Sequence, residues 1–265
     1  MSQEEQKAFS YRDRLVAFLD ILGFKDAVLN RGRGVTDVIE SIDSNLSSVL
    51  DAMKGEGGDW YSAKLFSDCM SISCDNFGNN LYYMLNEISN LQFSLATQGL
   101  FVRGAITYGP HFENERIIFS EALIRAYELE QKANYPRIII SDSVLDLISR
   151  EPKDRRDSLT PYLITPPDQI CTLDYFQHLF GIWVDYGIDI IDFLFEHKNA
   201  VIAQIEKHSS NAYVLDKYRW VAEYHNHKIP YFYNPDDYPD EVVKEHIREM
   251  MIPLTLFPSY KRFSI

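Results

Sequence analysis

The chain has 265 residues, 46% hydrophobic and 25% charged, which is the length and composition of a globular protein with a substantial core. Its 39 acidic and 26 basic residues give a formal net charge of -13, which disfavours direct binding to nucleic acid or to an anionic membrane surface. The N-terminal residues lack the basic-then-apolar order of a signal peptide, and no apolar stretch approaches the roughly 20 residues that span a bilayer. We therefore expect a cytoplasmic protein without membrane insertion.

The first 75 residues alternate between strand and helix patterns. A continuous apolar run from Leu15 to Leu22 predicts a strand, and the helical spacing of apolar residues from Val38 to Met53 predicts a helix after it. Two short strand candidates follow within residues 60–74, separated only by Ser67 and Asp68. That arrangement predicts a tight hairpin.

The remaining pattern divides near residue 150. Up to that point the predicted elements are a helix at 81–95, strands at 101–108 and 117–119, a helix at 120–132 and a strand at 137–140. Residues 151–169 are rich in proline and charge and predict a surface connection, and two further helices are predicted at 188–207 and 212–224. We expect residues 1–150 to form the core of an α/β fold. Residues 151–265 would complete that core and add a C-terminal accessory helical region.

Two aspartates stand out because each accompanies an apolar strand segment: Asp20 in the first strand and Asp68 in the hairpin turn. A carboxylate at such a place is costly unless it lies at a strand edge or binds a cation. If the first strand lies beside the hairpin, a strand spacing of about 4.8 Å brings both carboxylates within reach of the same pair of divalent ions. Residue types alone leave two alternatives open, a helix cap for Asp20 and a plain turn residue for Asp68.

The order of the segments resembles that of the class III nucleotidyl cyclase domain. The matching segments are DILGF at 20–24, KLFSD at 64–68, RGAITYG at 103–109, FSEALIRAYELE at 119–130 and YPRIIISDSV at 135–144. Serine stands at position 67, where the family usually has glycine. The resemblance implies a ferredoxin-like α+β core with an antiparallel or mixed sheet flanked by helices, followed here by a C-terminal helical extension.

The same resemblance implies the site residues and the assembly. Asp20, Asp68 and the Ile21 carbonyl would hold two divalent cations, Mn²⁺ or Mg²⁺. Lys64 stands at the family's base-recognition position, and Phe66 and Arg103 are the other candidates for substrate contact. Family cyclases assemble each site between two subunits, so a head-to-tail homodimer is expected.

The helix at 120–132 departs from the family. The family places an asparagine and, four residues later, an arginine that stabilises charge on the α-phosphate, and the aligned positions here hold Ile124 and Glu128. Arg125 lies one helical turn before Glu128 on nearly the same face, so it is the candidate for delivering a guanidinium to the phosphate.

The sequences of these motifs are most similar to those of the pyrimidine cyclases of bacterial Pycsar anti-phage systems, and YRWVAEYHN at 218–226 resembles the extension of those proteins. In that family the product is cyclic UMP or cyclic CMP, which activates a separately encoded effector. A uridylate cyclase that converts UTP is the expectation adopted here, because that activity is the commoner one. A cytidylate cyclase, a purine nucleotide cyclase and a catalytically dead nucleotide-binding module stay open as alternatives.

Overall fold

The computed structural model describes residues 11–24, 35–53 and 61–257. Trp60, where the sequence predicts the start of the hairpin, and residues 258–265 of the predicted accessory region lie outside the described residues.

A single sheet contains all eight strands of the described residues. These strands are β1 (Arg12–Ile21), β2 (Tyr61–Phe66), β3 (Cys69–Cys74), β4 (Val102–Glu113), β5 (Ile118–Ser120), β6 (Ile138–Ile140), β7 (Leu163–Ile164) and β8 (Thr172–Leu173). Their order across the sheet is β2-β3-β1-β4-β6-β8-β7, and β5 pairs with β4 as an antiparallel arm. Only the β4–β6 pair is parallel among the pairings of the described strands. The sheet is therefore mixed.

Nine α-helices lie within the described residues. They are α1 (Val35–Met53), α2 (Asn80–Thr97), α3 (Glu121–Glu130), α4 (Asp142–Arg150), α5 (Lys153–Leu159), α6 (Gln177–Tyr186), α7 (Ile191–Lys207), α8 (Ala212–Phe232) and α9 (Glu241–Met250). Helix α3 starts where Ser120 caps it, since the Ser120 hydroxyl accepts a hydrogen bond from the Leu123 N–H at 2.9 Å. None of the helices searched among the described residues is long and apolar enough to cross a membrane.

Both faces of β1 are buried, which explains why its sequence is a continuous apolar run rather than an alternating one. One face, which includes Leu15 and Leu19, packs into the main core with apolar residues of α1 and α2. The opposite face, which includes Phe18, packs beneath Ala126 of α3 and Ala133 just after that helix. The central strand is thus held between two helical layers.

The predicted fold class is confirmed: a mixed α/β sheet flanked by helices is followed by a helical extension, α6 to α9. This extension packs around α2, because Phe93 and Ala96 of that helix join clusters formed mainly by residues of the extension. The division at residue 150 stays a prediction. Strands β7 and β8 lie beyond it in the chain and join the same sheet.

Residues 151–169 differ from the predicted surface connection. They contain α5 and β7, and Leu159 and Tyr162 are buried in the main core. The reason is that Leu159 is the one buried residue of α5, so charged residues dominate the sequence of the helix. A strand of two residues, as β7 is, cannot show the alternation by which strands are recognised.

Gly104 permits the close approach of β4 to β1. A methyl group at this position would lie 2.2 Å from the backbone oxygen of Phe18, which is far inside van der Waals contact. At Gly109 of the same strand, the nearest atom to such a methyl group is the Ala122 side chain at 3.8 Å, an ordinary contact. The two glycines therefore differ in what their positions tolerate.

We expect Gly104→Ala to destabilise the protein by about 1–3 kcal/mol, because the added methyl group forces β1 and β4 apart. Gly109→Ala is the matched control and should change the free energy of unfolding by less than about 1 kcal/mol. Urea unfolding of both variants measures this difference. Equal stability of the two would contradict the close approach at Gly104.

Candidate divalent-cation site

The strand register places four residues in one row across the sheet. Cys69 of β3 and Arg103 of β4 both lie opposite Asp20 of β1, and Phe66 of β2 lies opposite Cys69. Residues opposite one another on neighbouring strands share a face, with side chains about 5 Å apart. This row ends the four strands on the side of the sheet where the hairpin turns.

Asp20 is held in place by an ion pair. The Arg103 Nε–H donates a hydrogen bond to Asp20 Oδ2 at 2.9 Å, and both side chains are largely buried, 22% and 15% exposed. A charge-assisted bond of this kind fixes the orientation of the carboxylate. The second Asp20 oxygen remains available to another cation.

Asp68 reaches the same place through the hairpin turn. Ser67 has a φ of +58°, in the left-handed region that favours glycine, and it stands where the family usually has glycine. The Ile21 N–H donates to the Asp68 carbonyl at 2.9 Å, which ties the turn to the end of β1. The turn and this bond together bring the Asp68 carboxylate beside that of Asp20.

Asp20, Asp68 and Cys69 each offer one ligand atom, and these three atoms lie within 4.8 Å of one another. Burial, followed by the negative charges of Asp68 and Asp20, raises the pKa of the Cys69 thiol to about 12. The thiol is therefore protonated at neutral pH, which leaves the two carboxylates as the ligands suited to a cation. Such a donor set fits a hard cation such as Mg²⁺ or Mn²⁺.

Glu130 is a part of the site that sequence reasoning missed. Its side chain is 1% exposed, and its Oε1 lies 2.6 Å from the same Arg103 Nε that bonds Asp20. Burial, with Asp20 as a further contributor, raises the pKa of Glu130 against the opposing charge of Arg103. No sequence pattern marks this contact, because α3 ends with two glutamates, Glu128 and Glu130, and only tertiary packing buries one of them.

Lys64 and Phe66, the other predicted contacts of the substrate on the hairpin, lie on β2. Lys64 Nζ donates to the backbone carbonyl of Asn114, between β4 and β5, so its ammonium group is engaged outside the aspartate pair. Phe66 is 47% exposed and lies in the same row as Asp20, with its ring 6.5 Å from that of Phe18. The structure thus brings Phe66 to the row and pairs Lys64 elsewhere.

Arg125 lies on the exposed side of α3, in an ion pair with Glu121 one turn earlier. Together with Glu128 and Lys132 it lines a cleft of about 410 Å³ between α3 and the β6–α4 region. Asp20 and Asp68 do not line this cleft. Within one chain, therefore, the structure does not bring Arg125 to the aspartates. Ile124, at the family's asparagine position, is 60% exposed.

Comparisons with known proteins give remote structural likenesses. No family model and no curated protein matches the chain. One similar structure is the catalytic core of a rhodopsin-guanylyl cyclase with converted specificity, in complex with ATPαS, at 16% identity and a TM-score of 0.43, covering 53% of this chain and 83% of that one. Another is a class III adenylyl cyclase-like ATP-binding protein from Pseudomonas aeruginosa, at 13% identity and a TM-score of 0.39.

The second of these matches covers 56% of this chain and spans 40% of the length of that protein. At such identities and scores, neither likeness establishes a family or an activity. Function has to be argued from the residues of the site.

We expect Asp68→Asn to abolish high-affinity Mn²⁺ binding, because the amide cannot supply the anionic oxygen that a hard cation requires. Titration of the protein into Mn²⁺, followed by the EPR signal of the free ion, measures the affinity directly. Asp146→Asn is the matched control, since this exposed carboxylate on α4 pairs only loosely with Arg150 at 3.9 Å. Equal Mn²⁺ affinity in the two variants would refute the site.

Proposed function

We propose that the chain is a uridylate cyclase, which converts UTP into cyclic UMP and pyrophosphate with two divalent cations held by Asp20 and Asp68. The observation that carries the proposal is the convergence of the two carboxylates. They lie at the ends of different elements, within 4.8 Å, beside a largely buried arginine. The resemblance of the sequence motifs to class III cyclases supports the reaction class. Their greater similarity to the Pycsar pyrimidine cyclases supports UTP as the substrate.

The residues divide the work as follows. Asp20, Asp68 and the Ile21 carbonyl would hold the cations, and the half-buried setting would keep the carboxylates oriented. Two bound divalent cations would activate the ribose 3′-hydroxyl and neutralise charge on the α-phosphate and the departing pyrophosphate. Arg103 would contribute a guanidinium to the phosphates and Phe66 would line the base site. Lys64 would join Phe66 there after leaving the Asn114 carbonyl that it bonds in the structure.

The choice of base is the least constrained part of the proposal. Uracil and cytosine differ at one exocyclic position and the adjacent ring nitrogen, so a few hydrogen bonds decide between them. A cytidylate cyclase and a purine cyclase therefore stand as alternatives. A catalytically dead nucleotide-binding module is a third, favoured by Ile124 and Glu128 at the positions of the family's transition-state residues.

One assay separates these possibilities. We expect purified protein, given Mn²⁺ and an equimolar mixture of UTP, CTP, ATP and GTP, to consume UTP and release cyclic UMP and pyrophosphate, as measured by mass spectrometry. Asp68→Ala should lower the rate to background, while Asp146→Asn retains it. Consumption of another triphosphate would reassign the base, and consumption of none by the folded, Mn²⁺-bound protein would favour the dead module.

The proposed enzyme is a head-to-tail homodimer, and the surface near the aspartates is suited to one. Large apolar side chains lie exposed on this side of the sheet and on α3: Phe66, Ile124 and Tyr127, between 47% and 60% exposed. Phe66 and Tyr127 both contact the buried Phe18 ring, so they form one apolar patch. Contiguous apolar patches on a soluble protein mark interaction surfaces.

The dimer would also let Arg125 contact the triphosphate, which it does not reach within its own chain. Arg125 of one subunit would reach the triphosphate held at the aspartates of the other, since a head-to-tail arrangement brings different faces together. Glu121 would have to release it, and an exposed ion pair of this kind costs little to break.

A complementation experiment tests this assignment. We expect Asp68→Asn and Arg125→Ala to be nearly inactive separately and to recover activity when the subunits are dissociated, mixed and reassociated. The mixed dimer has one site with both defects and one intact site, so activity should return to about a quarter of that of the unmutated enzyme. Arg150→Ala is the matched control for Arg125→Ala, because it removes an exposed arginine away from the proposed site, and it should keep the activity of the unmutated enzyme. Full activity of Arg125→Ala alone, or no recovery on mixing, would remove Arg125 from the site.

The product would serve as a second messenger in anti-phage defence, acting on a separately encoded effector. This part of the proposal rests on the similarity of the sequence motifs to Pycsar cyclases. Accumulation of cyclic UMP in infected cells that carry the gene, and its absence with Asp68→Ala, is the corresponding measurement.

A further inference from the structure

Two carboxylates compete for one N–H group of Arg103. Its Nε carries a single hydrogen, and this hydrogen is directed at Asp20 Oδ2, 2.9 Å away. Glu130 Oε1 lies even closer to Nε, at 2.6 Å, and forms an ion pair with the same guanidinium, but it is not aligned with the Nε hydrogen. The guanidinium therefore bonds Asp20 through its Nε–H group and pairs with Glu130 beside it.

Glu130 is a buried carboxylate that depends on its ion pair with Arg103. Its side chain is 1% exposed, and the other carboxylate oxygen, Oε2, accepts a bond from the Gln131 side chain at 2.5 Å. A buried charge is costly without a partner, so Glu130 depends on the Arg103 guanidinium. Glu130 is thus placed to accept the Nε–H group when Asp20 no longer holds it.

Cation binding at the aspartates would favour that second state. A divalent ion at Asp20 and Asp68 takes up the charge of the Asp20 carboxylate and repels the guanidinium beside it. Because Glu130 Oε1 already lies within bonding distance of Nε, a small reorientation of Arg103 transfers the N–H group from Asp20 to Glu130.

We propose that Glu130 is a positioning residue that sets the affinity of the site for divalent cations. It does so by accepting the hydrogen bond of the Arg103 Nε–H group when a cation binds the Asp20 carboxylate. This inference rests on the cation site of the proposed function and adds to it a carboxylate that does not ligate the metal. Arg103 then serves twice, as the counterion of Asp20 before cation binding and as a correctly oriented guanidinium afterwards.

The first test is the affinity for Mn²⁺, measured through the EPR signal of the free ion. Glu130→Gln keeps the shape of the side chain and removes its negative charge, so the Arg103 guanidinium stays bonded to Asp20. We therefore expect the Kd for Mn²⁺ to rise roughly tenfold. Arg103→Met removes the competing cation and should lower the Kd below that of the unmutated protein. Glu128→Gln is the matched control, because it removes one exposed acidic group from the same helix, and it should leave the Kd within about twofold.

The second test observes the transfer of the N–H group itself. Arginine Nε–H resonances in ¹⁵N NMR spectra are visible when an ion pair protects them, and Arg103→Met identifies the one that belongs to Arg103. On saturation with Mg²⁺, the resonance should shift and persist in the unmutated protein, and it should be lost by exchange with water in Glu130→Gln. A purely structural role of Glu130 would leave the resonance of the unmutated protein unmoved by Mg²⁺.

The outcomes separate this inference from the proposed function. If the unmutated protein binds no Mn²⁺ through Asp20 and Asp68, the proposed function fails. If the unmutated protein binds Mn²⁺ and Glu130→Gln binds it equally well, the role of Glu130 is overturned and the cyclase proposal stands. The same conclusion follows if the Arg103 Nε–H resonance does not shift on addition of Mg²⁺. Tighter binding in Arg103→Met together with weaker binding in Glu130→Gln supports the competition.

Discussion

The register of β1 between β3 and β4 is the constraint on which the site depends. It sets Asp20 opposite Cys69 on one side and opposite Arg103 on the other. Because side chains alternate between the faces of a strand, a slip by one residue would turn Asp20 into the main core and bring a leucine or isoleucine to the site. The apolar residues on both faces of β1 and the close approach at Gly104 prevent such a slip.

The parts of the site that depend on local sequence could be predicted, and those that depend on tertiary packing could not. The hairpin that carries Asp68 was predictable because its turn separates two short strand patterns by only two residues. The side-by-side placement of β1 and β3 followed from the order of the motifs. An ion pair of Arg103 was one expectation for an arginine on a strand, but its partners escaped prediction because Asp20 and Glu130 lie 83 and 27 positions away along the chain.

The same distinction holds for the fold. Long elements such as α2 and α7 were recognised because their apolar residues recur over several helical turns. Strands β7 and β8 contain two residues each, and their pairing comes from the sheet edge that β6 offers, not from their own pattern. Helix α6 buries only Leu179 among its ten residues, so its sequence carries little of the periodic apolar pattern by which helices are recognised.

The cationic residues of the proposed site share one property, which is that each is already paired within its own chain. Arg103 contacts Asp20 and Glu130, Lys64 bonds the carbonyl of Asn114, and Arg125 pairs with Glu121. A free triphosphate approaching this surface would meet carboxylates before it met any available cation, and the chain as a whole is strongly acidic.

Bound divalent cations would reverse that local balance. They would neutralise the two aspartates and so release Arg103 from the partner that holds it. The guanidinium would then add its positive charge to that of the cations at the same phosphates. In the proposed enzyme, nucleotide binding would therefore depend on cation binding through the protein's own ion pairs, in addition to the charge that the cations bring. Affinity for the triphosphate should then rise with divalent cation concentration more steeply than chelation of the nucleotide alone explains.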